Sequence, residues 1–333
     1  MSLDAKSMFQ PLRLGFLNPI STEWAASYQD RIMLESRVEA ADFIIYESNG
    51  DPIHMIMKIR EAFPLKKLVF ILSGDQSFQI DDECIWFTNA VRSSGLARHQ
   101  TQIFVTNPAI FKYYARVGHG TAQIRKRHID IYFKGTIWSG MREAMYNYFS
   151  NTASHSHSHP PEMTCLIEKN NDYWGWRLNV KKPKQAEIEA EAFKTYTVME
   201  NSLLCLCPKG NGNSSMRIVE ALACGAIPVL IDDFSAPFGV SWVDAGVAIA
   251  FDTRVHSWDF IYAECNKLVH DKEKLEKMQK KGQQYFNDVI YRDATSATTG
   301  FKMYENLDTV AFGFGGLILD RLMEIKSKPK SRK

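Results

Sequence analysis

The stretch Leu206 to Asp233 reads LCPKGNGNSSMRIVEALACGAIPVLIDD, and its residue types and spacing suit the binding of a diphosphate. An apolar run ends at Cys207. Pro208, Gly210 and Gly212 then make a tight loop, and Ser214 or Ser215 is placed to cap the next helix. Gly225 falls where that helix must stop, the C′ position that glycine favours. Pro228 opens the next strand, where a missing N–H is tolerated. A helix N-terminus offers unpaired backbone N–H groups and the positive end of the peptide dipole, so it attracts anions. Arg217, in the first turn, can add a two-pronged contact to phosphate oxygens. Glu220 lies three residues on and shares that face, within reach of a ribose hydroxyl pair, while Ile218, Ala221 and Leu222 are left to pack. The plain alternative is a surface Arg–Glu pair on an ordinary capped helix, because glycine-loop patterns recur by accident.

These residues need a strand before them and a helix behind them, and the rest of the chain supplies that alternation. Apolar runs at 12–17, 42–46, 67–72, 103–106, 129–133, 164–168, 203–207, 227–231 and 247–251 read as strands. Helical periodicity is expected over 23–39, 53–63, 108–117, 185–200, 215–224, 259–270, 272–289 and 308–325. Strands alternating with helices argue for an α/β fold with parallel sheets. The low-complexity segment SNTASHSHSHPPEM, residues 150–163, breaks the pattern near a domain boundary. His155, His157 and His159 there could bind a metal, or the segment is a solvated linker without preformed geometry. The expected division is 1–160, 161–310, and a helix with a basic tail at 311–333 that could return to the first domain. In such sheets ligands bind outside the carboxyl ends of the strands.

Composition excludes several classes. The 333 residues are 45% hydrophobic and 23% charged, which rules out a disordered chain, a collagen and a disulfide miniprotein. The net charge is +2, too small to make nucleic acid the expected partner. The six cysteines Cys84, Cys165, Cys205, Cys207, Cys224 and Cys265 form no CxxC pair, so free thiols in a reducing compartment are expected. No apolar run approaches the roughly 20 residues that span a bilayer. The polar first ten residues are not expected to act as a signal peptide.

The Leu206–Asp233 stretch resembles the C-terminal signature of the exostosin-type glycosyltransferases, which include heparan sulfate polymerases and plant cell-wall transferases. The matching positions are Cys205-Leu206, Pro208-Lys209-Gly210, Ser215-Met216-Arg217, Glu220-Ala221 and Gly225-Ala226-Ile227-Pro228-Val229, without a gap. Pro237-Phe238 and Trp242 are similar to the Pro-Phe and Trp that succeed the signature in that family. Weaker matches lie upstream at Glu39 to Phe43, at Phe133-Lys134-Gly135 with Arg142, and at Tyr196 to Ser202. The similarity covers roughly residues 36–290. There are departures: Ala226 stands where the family has Cys, with Cys224 ahead of the glycine instead, and the His-rich segment is not a family feature.

The resemblance implies a GT-B fold, two Rossmann-like domains facing across a cleft. The first, 1–160, would be the acceptor domain and the second, 161–310, the nucleotide-sugar donor domain. It implies a glycosyltransferase that moves a sugar from a nucleotide sugar, with UDP the family's usual nucleotide, to a glycan hydroxyl, inverting and without a metal cofactor. The sugar is left open among xylose, galactose, glucuronate, N-acetylglucosamine and others. On the donor side it implies Lys209, Gly210, Asn211, Gly212, Asn213, Ser214, Ser215, Arg217, Glu220 and Arg142, with Glu220 on the ribose and the Asn211–Asn213 loop near base or sugar. Inverting transfer needs a base for the acceptor proton. Asp75, after the strand KLVFIL and Ser73-Gly74, is the first candidate, against an Asp in a plain turn. Asp81, Asp82 and Glu83 are fallbacks, or a solvated acidic loop. Tyr173, Trp174 and Trp176 could be an acceptor platform or core packing. Arg125, Lys126, Arg127 and His128 read as a solvated charged run.

Two rival readings stand beside this one. One is a non-catalytic partner subunit that binds a nucleotide sugar or glycan. The other is a different two-domain Rossmann enzyme, weakened because Leu17-Asn18-Pro19-Ile20 after the first strand is not GxGxxG. Expected partners are the nucleotide sugar and a glycan acceptor, with homo- or hetero-oligomers open. The expected location is cytoplasmic or soluble, or the Golgi lumen if a membrane anchor precedes this chain.

Overall fold

The computed structural model describes residues 12–17, 32–37, 40–48, 53–72, 83–88, 100–102, 109–117, 127–137, 139–151, 163–170, 185–210, 215–232, 236–292 and 315–327. The chain divides into two compact α/β units. The first holds residues 1–104, 237–239 and 290–333, and the second holds 105–236 and 240–289.

The first unit is built on a six-stranded sheet of β1 (Leu12–Phe16), β2 (Ile32–Leu34), β3 (Phe43–Ser48), β4 (Leu68–Leu72), β5 (Ile85–Thr88) and β6 (Gln100–Gln102), in the order β2-β1-β3-β4-β5-β6. Every neighbouring pair is parallel. Parallel strands buried on both faces are near-continuous in apolar residues. Alternate residues then enter different cores. Ile45, Val69, Ile71, Ile85 and Phe87 pack on one face with α8 (Gly315–Ser327), through its Ile318, Leu319 and Leu322. Ile44, Tyr46, Leu68, Phe70 and Trp86 pack on the other with Ile56 of α1 (Ile53–Ala62). The Phe70 and Trp86 rings stack with centroids 4.6 Å apart.

The second unit is a five-stranded, all-parallel sheet in the order β11-β10-β9-β7-β8. Its strands are β7 (Ile129–Gly135), β8 (Cys165–Lys169), β9 (Ser202–Pro208), β10 (Ile227–Ile231) and β11 (Ile249–Phe251). Its helices are α2 (Ala109–Val117), α3 (Gly140–Ser150), α4 (Gln185–Glu200), α5 (Met216–Ala223), α6 (Trp258–His270) and α7 (Lys272–Tyr285), the last running into a π-helical turn at Phe286–Tyr291. All seven residues of β9 are buried, as befits the centre of the sheet.

Two expectations need correction. The boundary expected at 160/161 falls at 104/105, because β7 hydrogen-bonds to β8 and β9 and so belongs to the second sheet. The helix expected over 23–39 does not extend through Ile32–Leu34, which pair with Leu12, Arg13 and Leu14 as the edge strand β2. No helix among the described residues is long and apolar enough to cross a membrane.

Candidate functional site

The donor-side residues that the structure describes gather at the carboxyl edge of the second sheet, over the central strand β9. Ile231 pairs with Pro208, and Lys209 N donates to Ile231 O at 2.9 Å, which carries the ladder one residue past the end of β9. α5 then starts at Met216 with Ser215 as N-cap, in extended backbone with φ −126° and ψ 124°. Ser215 is buried, but its hydroxyl makes no capping hydrogen bond. At the other end the helix closes as the spacing predicts. Gly225 has φ +71°, its N–H bonds Leu222 O at 3.1 Å, and Ala226 N bonds Ala221 O at 2.9 Å. Those two bonds define the Schellman stop. A Cβ on Gly225 would lie 2.7 Å from an Arg127 guanidinium nitrogen and 2.5 Å from the Gln283 amide nitrogen.

Arg217 lies at the first turn of α5. Its Nε donates to Lys134 O at the end of β7, 3.1 Å away, and its Nη1 donates to Glu220 Oε2. Glu220 Oε1 accepts from the hydroxyl of Tyr196 on α4 at 3.1 Å. The Glu220 side chain is 2% exposed and that of Arg217 is 24% exposed. The plain alternative of a surface pair does not hold for Glu220: Ile218 to Ala223 are all buried, Glu220 among them. Glu220 was expected on a ribose; here both its oxygens are engaged inside the protein. Burial pulls Arg217 down, but the Glu220 carboxylate, with Cys205, Tyr196 and Tyr132 adding to it, holds the guanidinium above its ordinary value. Burial, with Glu220 adding to it, pushes the Tyr196 phenol well up, so it stays a donor.

Arg142 was expected to meet phosphate. On α3 it instead clamps the ends of two strands: Nε bonds Lys209 O at 3.1 Å, Nη1 bonds Thr136 O at 3.0 Å, and Nη2 bonds Pro208 O at 3.2 Å and Lys209 O at 2.9 Å. A guanidinium's fixed fork of donors suits this gathering of carbonyls. Lys134 at the end of β7 pairs with Glu191 of α4 at 2.6 Å.

Arg127 corrects the reading of 125–128 as a solvated run. It is half-buried, and it donates to Ser202 O at 2.6 Å and Cys224 O at 3.0 Å. Burial draws its guanidinium down to about 10. Its charge sits at the carboxyl end of α5, the end of a helix that favours a cation. His128 is exposed. Glu83, a fallback base in the first unit, is exposed and pairs with Arg60 at 3.3 Å. Asp75, Asp81, Asp82, Asn211, Gly212, Asn213, Ser214, Tyr173, Trp174, Trp176, Arg125, Lys126, His155, His157 and His159 lie outside the described residues. Among the described residues, no group of three or more His, Cys, Asp or Glu side chains is placed to hold a metal ion.

Two residues at this edge carry no role in the sequence reading. Tyr196 falls on a matching position, but nothing in its spacing points to Glu220. Asp232 follows β10 with φ +54°, and its carboxylate accepts from Thr253 N at 2.7 Å and Thr253 Oγ1 at 2.6 Å. Aspartate tolerates this left-handed turn better than most residues.

A parallel sheet whose central strand is succeeded by a helix N-terminus at its carboxyl edge offers unpaired N–H groups to an anion. Residues 116–258 match the Exostosin GT47 domain, a stretch that takes in every residue of this second-unit edge. Part of the chain also resembles proteins described as plant glycosyltransferases. A probable glucuronosyltransferase of Oryza sativa subsp. japonica is 31% identical over 130 residues, 38% of this chain and 27% of that protein. A probable beta-1,4-xylosyltransferase of Arabidopsis thaliana is 44% identical over 75 residues, 21% of this chain and 18% of that protein. The match spans about a quarter of the length of the rice relative. Among solved structures, a glycosyltransferase from Rickettsia africae ESF-5 has a TM-score of 0.39 at 8% identity, covering 90% of this chain and 98% of that one.

Proposed function

We propose that this chain is a GT-B glycosyltransferase that moves a sugar from a UDP-sugar to a glycan hydroxyl, with inversion and without a metal cofactor. The observation that carries the reading is Arg217. It is a guanidinium fixed at the N-terminus of α5, at the carboxyl edge of the sheet, inside the stretch that matches the Exostosin GT47 domain. The leaving diphosphate gathers negative charge as the glycosidic bond breaks. Donors already aimed at that charge, the α5 N–H groups and Arg217, need no reorganisation at that moment. Arg142 shapes the approach by tying the carbonyls of Thr136, Pro208 and Lys209 to one point. Lys209, Gly210 and the 211–214 loop complete the donor side in this reading. Asp75, assigned from its place after a strand of the first unit, takes the acceptor proton.

Thermal shift of the purified chain against nucleotide sugars tests the reading. A ligand at a hundredfold excess over its dissociation constant stabilises the folded state by about 2.7 kcal/mol. A shift with UDP that grows with one UDP-sugar is expected, followed by transfer of that sugar to a glycan with inverted anomeric configuration and no loss on adding EDTA. A response to GDP alone overturns the choice of uridine. Silence across the panel overturns the catalytic reading in favour of a partner subunit.

A further inference from the structure

Resting on the glycan acceptor proposed above, we propose that the loop after β11 is a second sugar subsite. Phe260 is the ring on which one sugar of the acceptor chain stacks. That sugar lies away from the point of transfer, so the subsite selects a chain of sugars over a short acceptor.

The loop is made to hold its shape. β11 ends at Phe251, and residues 252–257 lead into α6 at Trp258. Asp252 gathers them. Its carbonyl accepts from Val255 N at 3.1 Å and His256 N at 2.9 Å, and its N–H donates to His256 Nδ1 at 3.2 Å. Its carboxylate accepts from Arg254 N at 2.9 Å and from the Arg254 guanidinium. Asp232, after β10, fixes Thr253 through two further bonds. Ser257 caps α6 by accepting from Phe260 N at 3.2 Å, and Tyr148 of α3 holds the same turn through Asp259 at 2.6 Å.

What this loop presents to water is apolar. Val255 is 73% exposed and Phe260 is 45% exposed. The His256 and Phe260 rings lie 14° from parallel with centroids 5.0 Å apart, and Phe251 meets Phe260 edge-on at 6.3 Å. One face of Phe260 is thus covered by His256, and solvent reaches the other face and the rim of the ring. Keeping these side chains in water forgoes the gain of burying them. A loop held by this many bonds keeps them there in one arrangement, which lowers the cost of ordering on binding.

Size and place choose the occupant. A stable protein interface takes about 20–30 residues a side, whereas this patch is Val255, His256 and Phe260. That suits one sugar ring, whose flat C–H face packs on an aromatic face while its hydroxyls meet polar neighbours. Arg254 and the His256 ring supply such neighbours. Ligands of parallel sheets lie outside the carboxyl ends of the strands, and this is such an end. In the sheet β11 is two strands from β9, about 10 Å, so a glycan that ends over β9 needs only a few more sugars to reach Phe260.

Ligand-observed NMR of the full chain with a β-1,4-xylan hexasaccharide and the matching disaccharide tests this on Phe260→Ala and Phe260→Tyr. Thermal shift by UDP reads the donor side separately. Phe260→Ala is expected to weaken the hexasaccharide about fivefold and to leave the disaccharide and the UDP shift unchanged. Its melting temperature should hold, since so much of the ring is already in water. Phe260→Tyr keeps the ring and is expected to bind as wild type does. A merely structural role would lower the melting temperature and change both sugars together. That result overturns the proposal, as does an unchanged hexasaccharide affinity in Phe260→Ala. A wild-type chain that responds to UDP but binds the hexasaccharide no better than the disaccharide overturns the subsite and leaves the donor reading standing. A wild-type chain silent to UDP overturns the donor reading, while the hexasaccharide titration still decides the subsite.

Discussion

The two sheets handle charge differently. In the first unit the sheet is sandwiched by apolar side chains, and the described ion pairs sit at its margins, Arg13 and Lys326 on Asp42 and Arg60 on Glu83, or within α8, Arg321 on Glu324. In the second unit, guanidinium groups reach the ends of the strands themselves. Arg142 gathers carbonyls at the ends of β7 and β9, Arg217 bonds the end of β7, and Arg127 joins the start of β9 to the end of α5. Apolar packing is enough to hold a sheet together. Charges brought this far in need partners for most of their donors, and here strand-end and helix-end carbonyls supply them.

Arg217→Ala should separate the units most sharply. It removes the proposed diphosphate contact and leaves Glu220 buried without its cation, so transfer should fall at least a hundredfold and stability by about 3 kcal/mol, read by kinetics and denaturant melts. Gly225→Ala comes next. The left-handed turn alone costs about 1–2 kcal/mol in an alanine, and crowding against Arg127 and Gln283 should raise the loss above that. Gly239, with φ +78° and open space where a Cβ would project, is the control, and its alanine variant should lose only the turn cost. A larger loss at Gly239 than at Gly225 would contradict the account of α5. Arg142→Lys keeps the charge but not the fork. It should cut kcat/KM about tenfold, roughly 1.4 kcal/mol, with little change in melting temperature.

The smallest effect belongs to the first unit. Lys326 Nζ lies 2.8 Å from Asp42 Oδ2. Burial raises the Asp42 carboxyl, but the bonds from Lys326 and from Arg13 N outweigh it and hold it below the ordinary 3.8. A depressed carboxyl stabilises the fold above its unfolded value and loses that stabilisation as pH falls through its folded value. Asp42→Asn should therefore cost under about 1 kcal/mol at pH 7, and the gap from wild type should close below pH ~3.8 in acid titrations of stability.

Where helical or strand period and motif coincide, the sequence is legible. β9, α5 and β10 lie where residues 203–231 place them, and Gly225 stops the helix as its position predicts. β2 and β6 are three residues each, too short to show an alternation, and Gln100–Gln102 is polar yet buried at the sheet edge. α3, GMREAMYNYFS, buries only Met145 and Phe149, too thin a stripe to announce a helix. The fate of Glu220 was out of reach for a different reason. Spacing puts it on the same face as Arg217, but only the packing of α4, α7 and the sheet around α5 decides that this face is covered.

The return of α8 to the first sheet has a consequence for the order in which the chain acquires structure during synthesis. Among the described residues, the helix that packs on one face of that sheet is made only with Ile318, Leu319 and Leu322, whereas every residue of the second unit precedes position 290. Of the two units, the one begun first on the ribosome is thus the one finished last. Until then Ile45, Val69, Ile71, Ile85 and Phe87 lack their contacts with α8, and apolar groups left waiting in this way are what chaperones bind.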